Sequence, residues 1–356
     1  MNKLGLPALE ALRSRGSEQR AFHERAAATA RERFGRTVFV RAVVEISNYC
    51  RENCAYCGMR RANRSLARYR ANHEQLAELL IHHRPSSVTD VNIQAGEDPV
   101  AARQVALPLI KTLKRETNLG ISVCLGTLEP ALYAELKEAG ASIYILKFEM
   151  GHPERYLEMD SPGTFQERIE SIGHLSATGW YVSSGFIAGL PGDNDEDLLA
   201  NFALASELPL DGCSVSPFIP GEETPLSKAP VADIELTLNC MAALRLMRPD
   251  WVIPSVSALN LAQPGSGYRR GLRTGANLVT INLTPAEFRG DYLLYTRERF
   301  IMTEERILGA ISAEGLAASS RSLTEFYRTR KVNGAKVPSM AEEAPRTKLQ
   351  APEKLQ

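Results

Sequence analysis

The chain of 356 residues lacks several features that mark whole classes of protein. No run of 18 apolar residues occurs, which argues against a membrane-spanning helix, and the first residues lack the continuous apolar core of a secretory signal. Lysine plus arginine equals aspartate plus glutamate at 42 each, so the total charge favours neither nucleic acid nor an anionic membrane as a partner. We therefore expect a cytoplasmic protein whose function is encoded in local motifs.

Cysteine is scarce and unevenly placed. Three of the six cysteines, Cys50, Cys54 and Cys57, fall within eight residues directly after an apolar segment. Such bunching is typical of a metal site in a reducing compartment. A zinc site is the alternative for Cys-x2-Cys, but it needs a fourth ligand, and the nearest downstream is His73. Three thiolates instead favour an iron-sulfur cluster that keeps one iron open.

Segments rich in β-formers alternate with helical patterns from residue 36 onward. The predicted strands cover 38–46, 88–94, 121–125, 143–148, 181–188, 213–218, 251–256 and 278–283, and the predicted helices lie near 73–83, 99–116, 130–139, 164–178, 195–207, 231–247 and 267–274. Eight such units predict a complete (βα)8 TIM-type barrel. A doubly wound sheet is the alternative, but no feature marks the strand-order reversal that it needs.

The predicted domains follow from this pattern. We expect an N-terminal helical extension over 1–35, the barrel over 36–325, and a disordered C-terminal tail over 326–356. In a barrel of this kind the functional groups gather where strands end. The cysteines follow the first predicted strand, and short polar or glycine-rich motifs follow the second, fourth and fifth.

The spacing Cys50-x3-Cys54-x2-Cys57, with Tyr56 before the last cysteine, resembles the signature of radical S-adenosylmethionine (radical SAM) enzymes. The resemblance implies a 4Fe-4S cluster held by these thiolates, with SAM on the fourth iron. It also implies an oxygen-sensitive reaction in which SAM is reductively cleaved and a 5′-deoxyadenosyl radical removes hydrogen from a substrate. A reduced flavodoxin or ferredoxin would supply the electron.

The same resemblance implies cofactor contacts beyond the cysteines. Gly96 and Glu97 stand where the family binds the ammonium group of SAM, and Glu149 and Arg168 resemble the groups that hold its ribose and methionine end. In the run Gly189-Leu190-Pro191-Gly192, Gly189 and Gly192 resemble a turn near the adenine, and Tyr56 belongs to the cofactor site. Taken singly, each motif is also an ordinary turn or cap.

Within the superfamily, the cysteine segment through Arg70 resembles a group that contains biotin synthase, the HydE-type FeFe-hydrogenase maturase and methylornithine synthase. Biotin synthase fits poorly, because Cys124 is the one candidate ligand for its second cluster and Ser183 stands where another would be expected. We interpret Cys124, Cys213 and Cys240 as packing residues. No cysteine follows Cys240, which disfavours an auxiliary cluster and favours a small-molecule substrate.

Polar residues near the predicted strand ends are candidates for substrate contact: Asp98, Lys147, Ser255, Ser257, Thr280 and Asn282. The serine and threonine hydroxyls among them could equally satisfy the barrel's own hydrogen bonds. Lys147 is notable because the two relatives carry arginine at the matching place, and an ammonium is not equivalent to a guanidinium fork.

Three functions remain open from the sequence. The first is a radical SAM enzyme acting on a small amino-acid-like or cysteine-derived substrate, as the maturase resemblance implies. The second is a carbon-skeleton mutase similar to methylornithine synthase. The third, from another class, is an electron-transfer or binding module, although a simple carrier ordinarily has four protein ligands.

Overall fold

The computed structural model describes residues 7–298 and 300–332. Two N-terminal helices, α1 (Leu9–Arg13) and α2 (Gly16–Phe34), precede the sheet and pack against α10 (Ile234–Met247). This contact explains why α10 is buried on nearly all sides, since it lies between these helices and the sheet. Gln19 Nε2 donates to Asn239 Oδ1 across the contact at 3.0 Å. The predicted N-terminal helices are therefore present.

Strands and helices alternate through the rest of the chain. The elements are β1 (Thr37–Ser47), α3 (His73–His82), β2 (Asp90–Ala95), α4 (Pro99–Ala101), a π-helical segment (Ala102–Ala106), α5 (Leu107–Glu116), β3 (Gly120–Cys124), α6 (Pro130–Ala139), β4 (Ile143–Ile145), α7 (Pro153–Glu158), α8 (Phe165–Ala177), β5 (Tyr181–Ala188), α9 (Asp195–Glu207), β6 (Gly212–Pro217), α10, α11 (Ala258–Ala262), α12 (Gly267–Leu272), β7 (Leu278–Asn282), α13 (Ala286–Arg289), α14 (Glu304–Ala313), β8 (Ala317–Ala318) and α15 (Leu323–Val332). Local chemistry fixes several helix starts: Thr164 with Glu167 and Asn194 with Asp197 form capping boxes at α8 and α9.

The strands form one parallel sheet in the order β6-β5-β4-β3-β2-β1-β7, with the short β8 paired to the start of β1. Its strands are largely buried, as expected when helices cover a parallel sheet. The prediction of a parallel α/β fold of the TIM type is confirmed, as a curled sheet of seven main strands. A complete eight-stranded barrel is not confirmed.

The difference lies in the predicted strand over 251–256. This segment makes two isolated parallel bridges, Gly212 with Val252 and Pro254 with Leu278, and does not form a regular strand. Pro254 provides a physical reason, because proline has no N–H to donate to a strand ladder. The segment nevertheless lies between β6 and β7 and is bonded to both.

The C-terminal part also differs from the expectation. Residues 326–332, which were predicted to be disordered tail, belong to α15. Tyr327 is buried and its ring stacks on Tyr181 with centroids 4.7 Å apart, and Asp90 accepts hydrogen bonds from the Leu323 amide at the start of the helix. The remainder of the predicted tail, 333–356, lies outside the described residues. None of the helices in the described ranges has the length and apolar content to cross a membrane.

Candidate functional site

The three cysteines follow the end of β1 and lie in a loop folded back on the sheet. Cys54 is buried and Cys50 and Cys57 are half-buried. Burial raises the pKa of all three thiols, and the neighbouring thiolates add to the effect for Cys54 and for Cys57, whose pKa is about 12. Three thiols that are hard to ionise together are suited to a positively charged partner, because a metal deprotonates a coordinating thiol outright.

Arg68 holds the two ends of the cysteine loop together. Its guanidinium donates to the carbonyl of Asn48, before the cysteines, at 2.5 Å, and to the carbonyls of Met59 and Arg60, after them, at 2.8 and 2.7 Å. Five N–H groups in a fixed fork allow one arginine to satisfy several carbonyls at once. The loop is therefore fixed from outside without any contact that occupies the thiols.

Gly96 lies where the end of β2 approaches the cysteine loop. A Cβ at this position would come within 2.3 Å of the Tyr49 carbonyl oxygen and 2.9 Å of the Cys50 Cβ, so only glycine fits. The next amide, that of Glu97, donates to Cys50 Sγ at 3.4 Å. The predicted Gly96-Glu97 motif thus contacts the first cysteine directly.

The Glu97 carboxylate forms a buried ion pair. Arg168 on α8 donates to it at 2.6 Å, with side-chain exposures of 3% for Arg168 and 8% for Glu97, and Arg51 approaches it at 3.3 Å. Burial alone would lower the pKa of Arg168, but Glu97 and Tyr156 reverse this and the pKa is raised. Two predicted cofactor residues are therefore in contact with each other, in a pair that ties α8 to the cysteine loop.

Asp98, which is predicted to contact substrate, bonds to residues on both sides of the cysteines. Its carboxylate accepts from Ser47 Oγ at 2.7 Å and from Arg70 at 2.7 and 3.0 Å, and it also caps α4 through the Val100 amide. The side chain is 4% exposed. These contacts make Asp98 a support of the loop, which argues against its predicted contact with substrate.

Glu149 and the two predicted glycines line the rim near β4 and β5. Glu149 adopts φ 62°, which is uncommon for a residue other than glycine, and its backbone bonds to Gly185 and Ile187 of β5 hold it there. Gly189 and Gly192 have φ 76° and 84°. Because positive φ costs glycine little, the turn after β5 can follow a path closed to other residues.

Tyr56 packs into an apolar group beside this rim. The buried members are Met150, Tyr156, Met159, Ile187, Leu190 and Phe218. Burial raises the pKa of Tyr56 well above its ordinary value, so the phenol stays neutral. The group provides an apolar wall next to the cysteine loop, and it includes Leu190 of the turn near which adenine binding is predicted.

Lys147 points into the space enclosed by the sheet. Its Nζ lies 3.3 Å from Ser216 Oγ on β6 and 3.8 Å from Glu149 Oε2. Burial alone would lower the pKa of Lys147, but Glu149 and other neighbours raise it, so the ammonium stays charged. A retained positive charge inside the sheet is able to bind an anionic group.

A second polar group faces the interior from β1, β2 and β7. Glu45 is fully buried, and its Oε1 accepts from Asn282 Nδ2 at 3.1 Å and from Gln94 Nε2 at 3.4 Å. Nearer the start of the same two strands, β1 and β7, Thr280 Oγ1 accepts from Arg41 at 3.5 Å. Of the predicted substrate candidates, Asn282, Thr280 and Lys147 therefore face the interior.

The two predicted serines do not. Ser255 is buried and donates to the Tyr268 carbonyl of α12, and a Cβ on Gly271 of the same helix would lie 2.0 Å from its Oγ. It therefore faces the outer helices, which argues against the predicted substrate contact. Ser257 is exposed and precedes α11.

The remaining cysteines divide into two kinds. Cys213 and Cys240 lie in the main core, in line with their interpretation as packing residues. Cys124 differs: it pairs with Gln94 in the β2–β3 register and is only half-buried. Since paired residues of neighbouring strands face the same side, Cys124 shares the interior with Gln94. Burial raises the pKa of the Cys124 thiol to about 11, and the positive charge of Lys147 opposes this rise.

The residues present fit an iron-sulfur cluster. No three His, Cys, Asp or Glu side chains of the described residues converge on a single ion, but in a cubane each thiolate binds a different iron and such convergence is not needed. The thiols of Cys50, Cys54 and Cys57 affect one another's pKa. Gly96 leaves the narrow space beside Cys50 that a side chain would fill.

Comparison with known proteins assigns the family. The family model for the radical SAM superfamily matches residues 44–205. The [FeFe] hydrogenase maturase subunit HydE of Thermotoga maritima is 34% identical over 265 residues, which cover 74% of this chain and 76% of the relative. This chain belongs to the radical SAM superfamily. As a radical SAM enzyme it uses a 4Fe-4S cluster and SAM, as the cysteine motif predicted.

Two further similarities agree with the predicted branch of this radical SAM enzyme. The 3-methylornithine synthase of Methanosarcina acetivorans is 27% identical over 249 residues, covering 69% of this chain and 70% of the relative. The crystal structure of methylornithine synthase (PylB) superimposes with a TM-score of 0.80 at 23% identity, covering 90% of this chain and 94% of that one. The structural likeness shows a shared fold.

Several residues at the site were not predicted from the sequence. Glu45, Ser216 and Arg68 all contact parts of the site. For Glu45 a signal existed, because it and Arg41 are charged residues four apart in an otherwise apolar strand, which puts them on one face. No local pattern gives Ser216 or Arg68 a role in the site, because each meets its partner only in the folded chain.

Proposed function

We propose that this radical SAM enzyme acts on a small amino-acid-like or cysteine-derived molecule held inside the curled sheet, in a reaction related to that of the HydE-type maturase. The observation that carries the proposal is the position of Lys147. Its ammonium lies in the interior between Ser216 and Glu149. Lys147 follows the C-terminal end of β4, as the cysteine loop follows the C-terminal end of β1. A ligand bound there would lie beside the cofactor.

A closed interior is part of this proposal. We infer that the sheet is completed into a barrel by the segment over 251–256. The two bridges to Gly212 and Leu278 support this, as do the bonds from the Val252 amide to Asp211 and from the Ser255 amide to Leu278. A barrel of this size has room for one small ligand among inward side chains.

The chain's own residues would hold the cofactor and exclude water. When bound, the cluster and SAM supply one-electron cleavage of the sulfonium, which is the chemistry general to the superfamily. Glu149 would hold the ribose and the Gly96 backbone the ammonium group, while Arg168, which is buried against Glu97, would position the segment that binds the methionine end. The apolar wall that includes Tyr56 would cover the adenine and keep water from the reacting carbon.

The substrate would be oriented by groups of opposite charge. Lys147 and Ser216 suit a carboxylate or another anion, with the hydroxyl adding a directed hydrogen bond. Asn282 and Glu45 lie on strands on the far side of the sheet from β4 and offer oxygen acceptors. This arrangement favours a molecule with a negative and a positive end, such as a free amino acid.

The central test is anaerobic. The protein is reconstituted with iron and sulfide, reduced with dithionite and incubated with SAM, and 5′-deoxyadenosine or an adenosylated product is measured by mass spectrometry. Release of either supports the proposal. If neither forms while electron paramagnetic resonance shows an intact cluster that does not respond to SAM, the chain is an electron-transfer or binding module instead.

A carbon-skeleton mutase is the second candidate. The similarity to 3-methylornithine synthase favours it, and the substrate would again be an amino acid. Incubation with L-lysine distinguishes the two, because a mutase yields an isomer of unchanged mass. Lys147 in place of the relatives' arginine argues that the anionic group or its distance differs from theirs.

A further inference from the structure

The segment around the cysteines carries most of its charge with one sign. The chain as a whole has no formal net charge, yet residues 48–70 contain six arginines and a single acidic residue, Glu52. So strong a local excess is not needed to hold three thiolates. The six arginines fall into two groups by the contacts that they make.

Four of the six arginines are used within the fold. Arg60 donates to Asn53 and Arg68 to loop carbonyls, while Arg51 and Arg70 pair with Glu97 and Asp98. The remaining two are Arg61 and Arg64. Both are exposed, and neither has an ion pair with any residue in the described ranges.

These two arginines lie on a turn that covers the cysteine loop, and we call residues 60–64 the arginine turn. The Arg61 amide donates to the Glu52 carbonyl, between the first two cysteines, at 2.8 Å. The Asn53 side chain accepts from the Ala62 amide at 3.0 Å. The turn is therefore the outer surface of the loop that holds the cluster.

An exposed aromatic ring lies next to the same surface. Tyr49, directly before Cys50, is 38% exposed and is one of few large apolar side chains in the described residues with such exposure. The Arg70 guanidinium lies 4.1 Å from its ring centroid. Arg68 joins the Asn48 carbonyl, directly before Tyr49, to those of Met59 and Arg60, so the backbone beside the ring is tied to the start of the arginine turn.

We propose that the arginine turn, with Tyr49 at its edge, is the docking surface for a small acidic protein that carries one electron. Exposed arginine and tyrosine are enriched at protein interfaces, and transient redox complexes bury little area and depend on charge. One electron passes from the carrier's reduced cofactor to the cluster. The carrier is oxidised by one electron, the cluster is reduced by one, and no bond forms or breaks. The inference rests on the proposed function, since only that reaction consumes the electron.

The test compares two reductants on the reconstituted full-length enzyme. The initial rate of 5′-deoxyadenosine formation is measured anaerobically with reduced flavodoxin and, separately, with dithionite. The variant R61E/R64E is expected to lose about tenfold or more of the flavodoxin-driven rate at low ionic strength, within the range of electrostatic steering. Its dithionite-driven rate should stay within about twofold of the wild type, because a small anion needs no docking surface.

A charge-matched control separates docking from net charge. R31E/R33E changes the total charge by the same amount, but Arg31 and Arg33 are exposed at the end of α2, before β1 begins. The eleven residues of β1 separate them from the cysteine loop, which follows the opposite end of the strand. This variant should keep both rates. At about 0.5 M salt, where charges are screened within a few ångströms, the difference between R61E/R64E and wild type should vanish.

Each remaining outcome has a definite meaning. An unchanged flavodoxin-driven rate in R61E/R64E, or an equal loss in R31E/R33E, overturns the docking surface while leaving the proposed function intact. A wild type that releases no 5′-deoxyadenosine with dithionite contradicts the proposed function instead. Should R61E/R64E fail to fold, the neutral variant R61Q/R64Q replaces it and is expected to show an intermediate loss; no loss there counts against the surface.

Discussion

The ion pair between Arg168 and Glu97 makes the sharpest prediction about what holds the cysteine loop. Arg168→Met keeps an unbranched apolar stem and removes the guanidinium. Glu97 would then keep only Arg51, which is about half exposed and 3.3 Å away. Because the Arg168–Glu97 pair is almost fully enclosed, with its atoms 2.6 Å apart, its loss leaves a buried carboxylate poorly compensated.

The magnitude follows from burial. Removing one partner of a buried ion pair typically costs about 3–5 kcal/mol, and the remaining Arg51 contact places this case near about 3 kcal/mol. Glu97→Gln should cost a similar amount, although Tyr156 and the Pro162 carbonyl still contact Arg168. The double variant should cost clearly less than the sum, with a coupling of about 2 kcal/mol.

Urea unfolding of the metal-free protein under anaerobic conditions measures these free energies by circular dichroism. The control is the exposed pair of Arg103 and Glu135, which has two contacts of 2.9 Å and side-chain exposures of 49% and 40%. Its substitution should cost at most about 1 kcal/mol. If Arg168→Met costs no more than Arg103→Met, burial of the pair does not stabilise this region and the reasoning fails.

Three further predictions test separate parts of the structure. Gly96→Ala should lower the iron and sulfide bound per chain to less than half, because its Cβ would clash with the Tyr49 carbonyl, whereas Gly173→Ala, which has open space around it in α8, should bind the full amount and serves as the control. Lys147→Met should leave slow SAM cleavage but abolish its stimulation by substrate, as measured by the rate of 5′-deoxyadenosine formation with and without substrate; unchanged stimulation would contradict the role of Lys147. Burial raises the pKa of Asp90 to about 6, so the folded state binds more protons than the unfolded state between about pH 4 and 6. The wild type should therefore gain about 3 kcal/mol of stability as the pH falls through that window, and Asp90→Asn should not; equal pH profiles in unfolding experiments would refute this.

Much of the fold was predictable because its segments have strong periodicity and clear boundaries. The predicted helices over 130–139 and 195–207 and the strand over 181–188 have the bounds that the structure gives. The segment over 251–256 has the apolar composition of a strand, but Pro254 interrupts its ladder. For α15, the basic residues of its exposed face concealed Leu323 and Tyr327, whose burial depends on the distant Asp90 and Tyr181.

The site was predictable where one local motif carries the chemistry and not where distant residues meet. The cysteine spacing alone led to the superfamily that the comparisons show. Polarity at a strand end, by contrast, does not say which way a side chain points: Thr280 faces the interior, while Ser255 faces α12. Arg68 was unmarked for the same reason, since its role exists only once both ends of the loop are brought together.

The three residues Gly96, Glu97 and Asp98 together explain how the end of β2 holds the cysteine loop in place. Gly96 lets β2 approach the Tyr49 carbonyl, the Glu97 amide bonds to Cys50, and Asp98 bonds to Arg70 beyond the last cysteine. The two carboxylates bind arginines from different elements, one on α8 and one on the loop itself. A change in any of the three should therefore loosen the loop before it unfolds the sheet, so cluster retention should fall at lower urea concentrations than the secondary structure does.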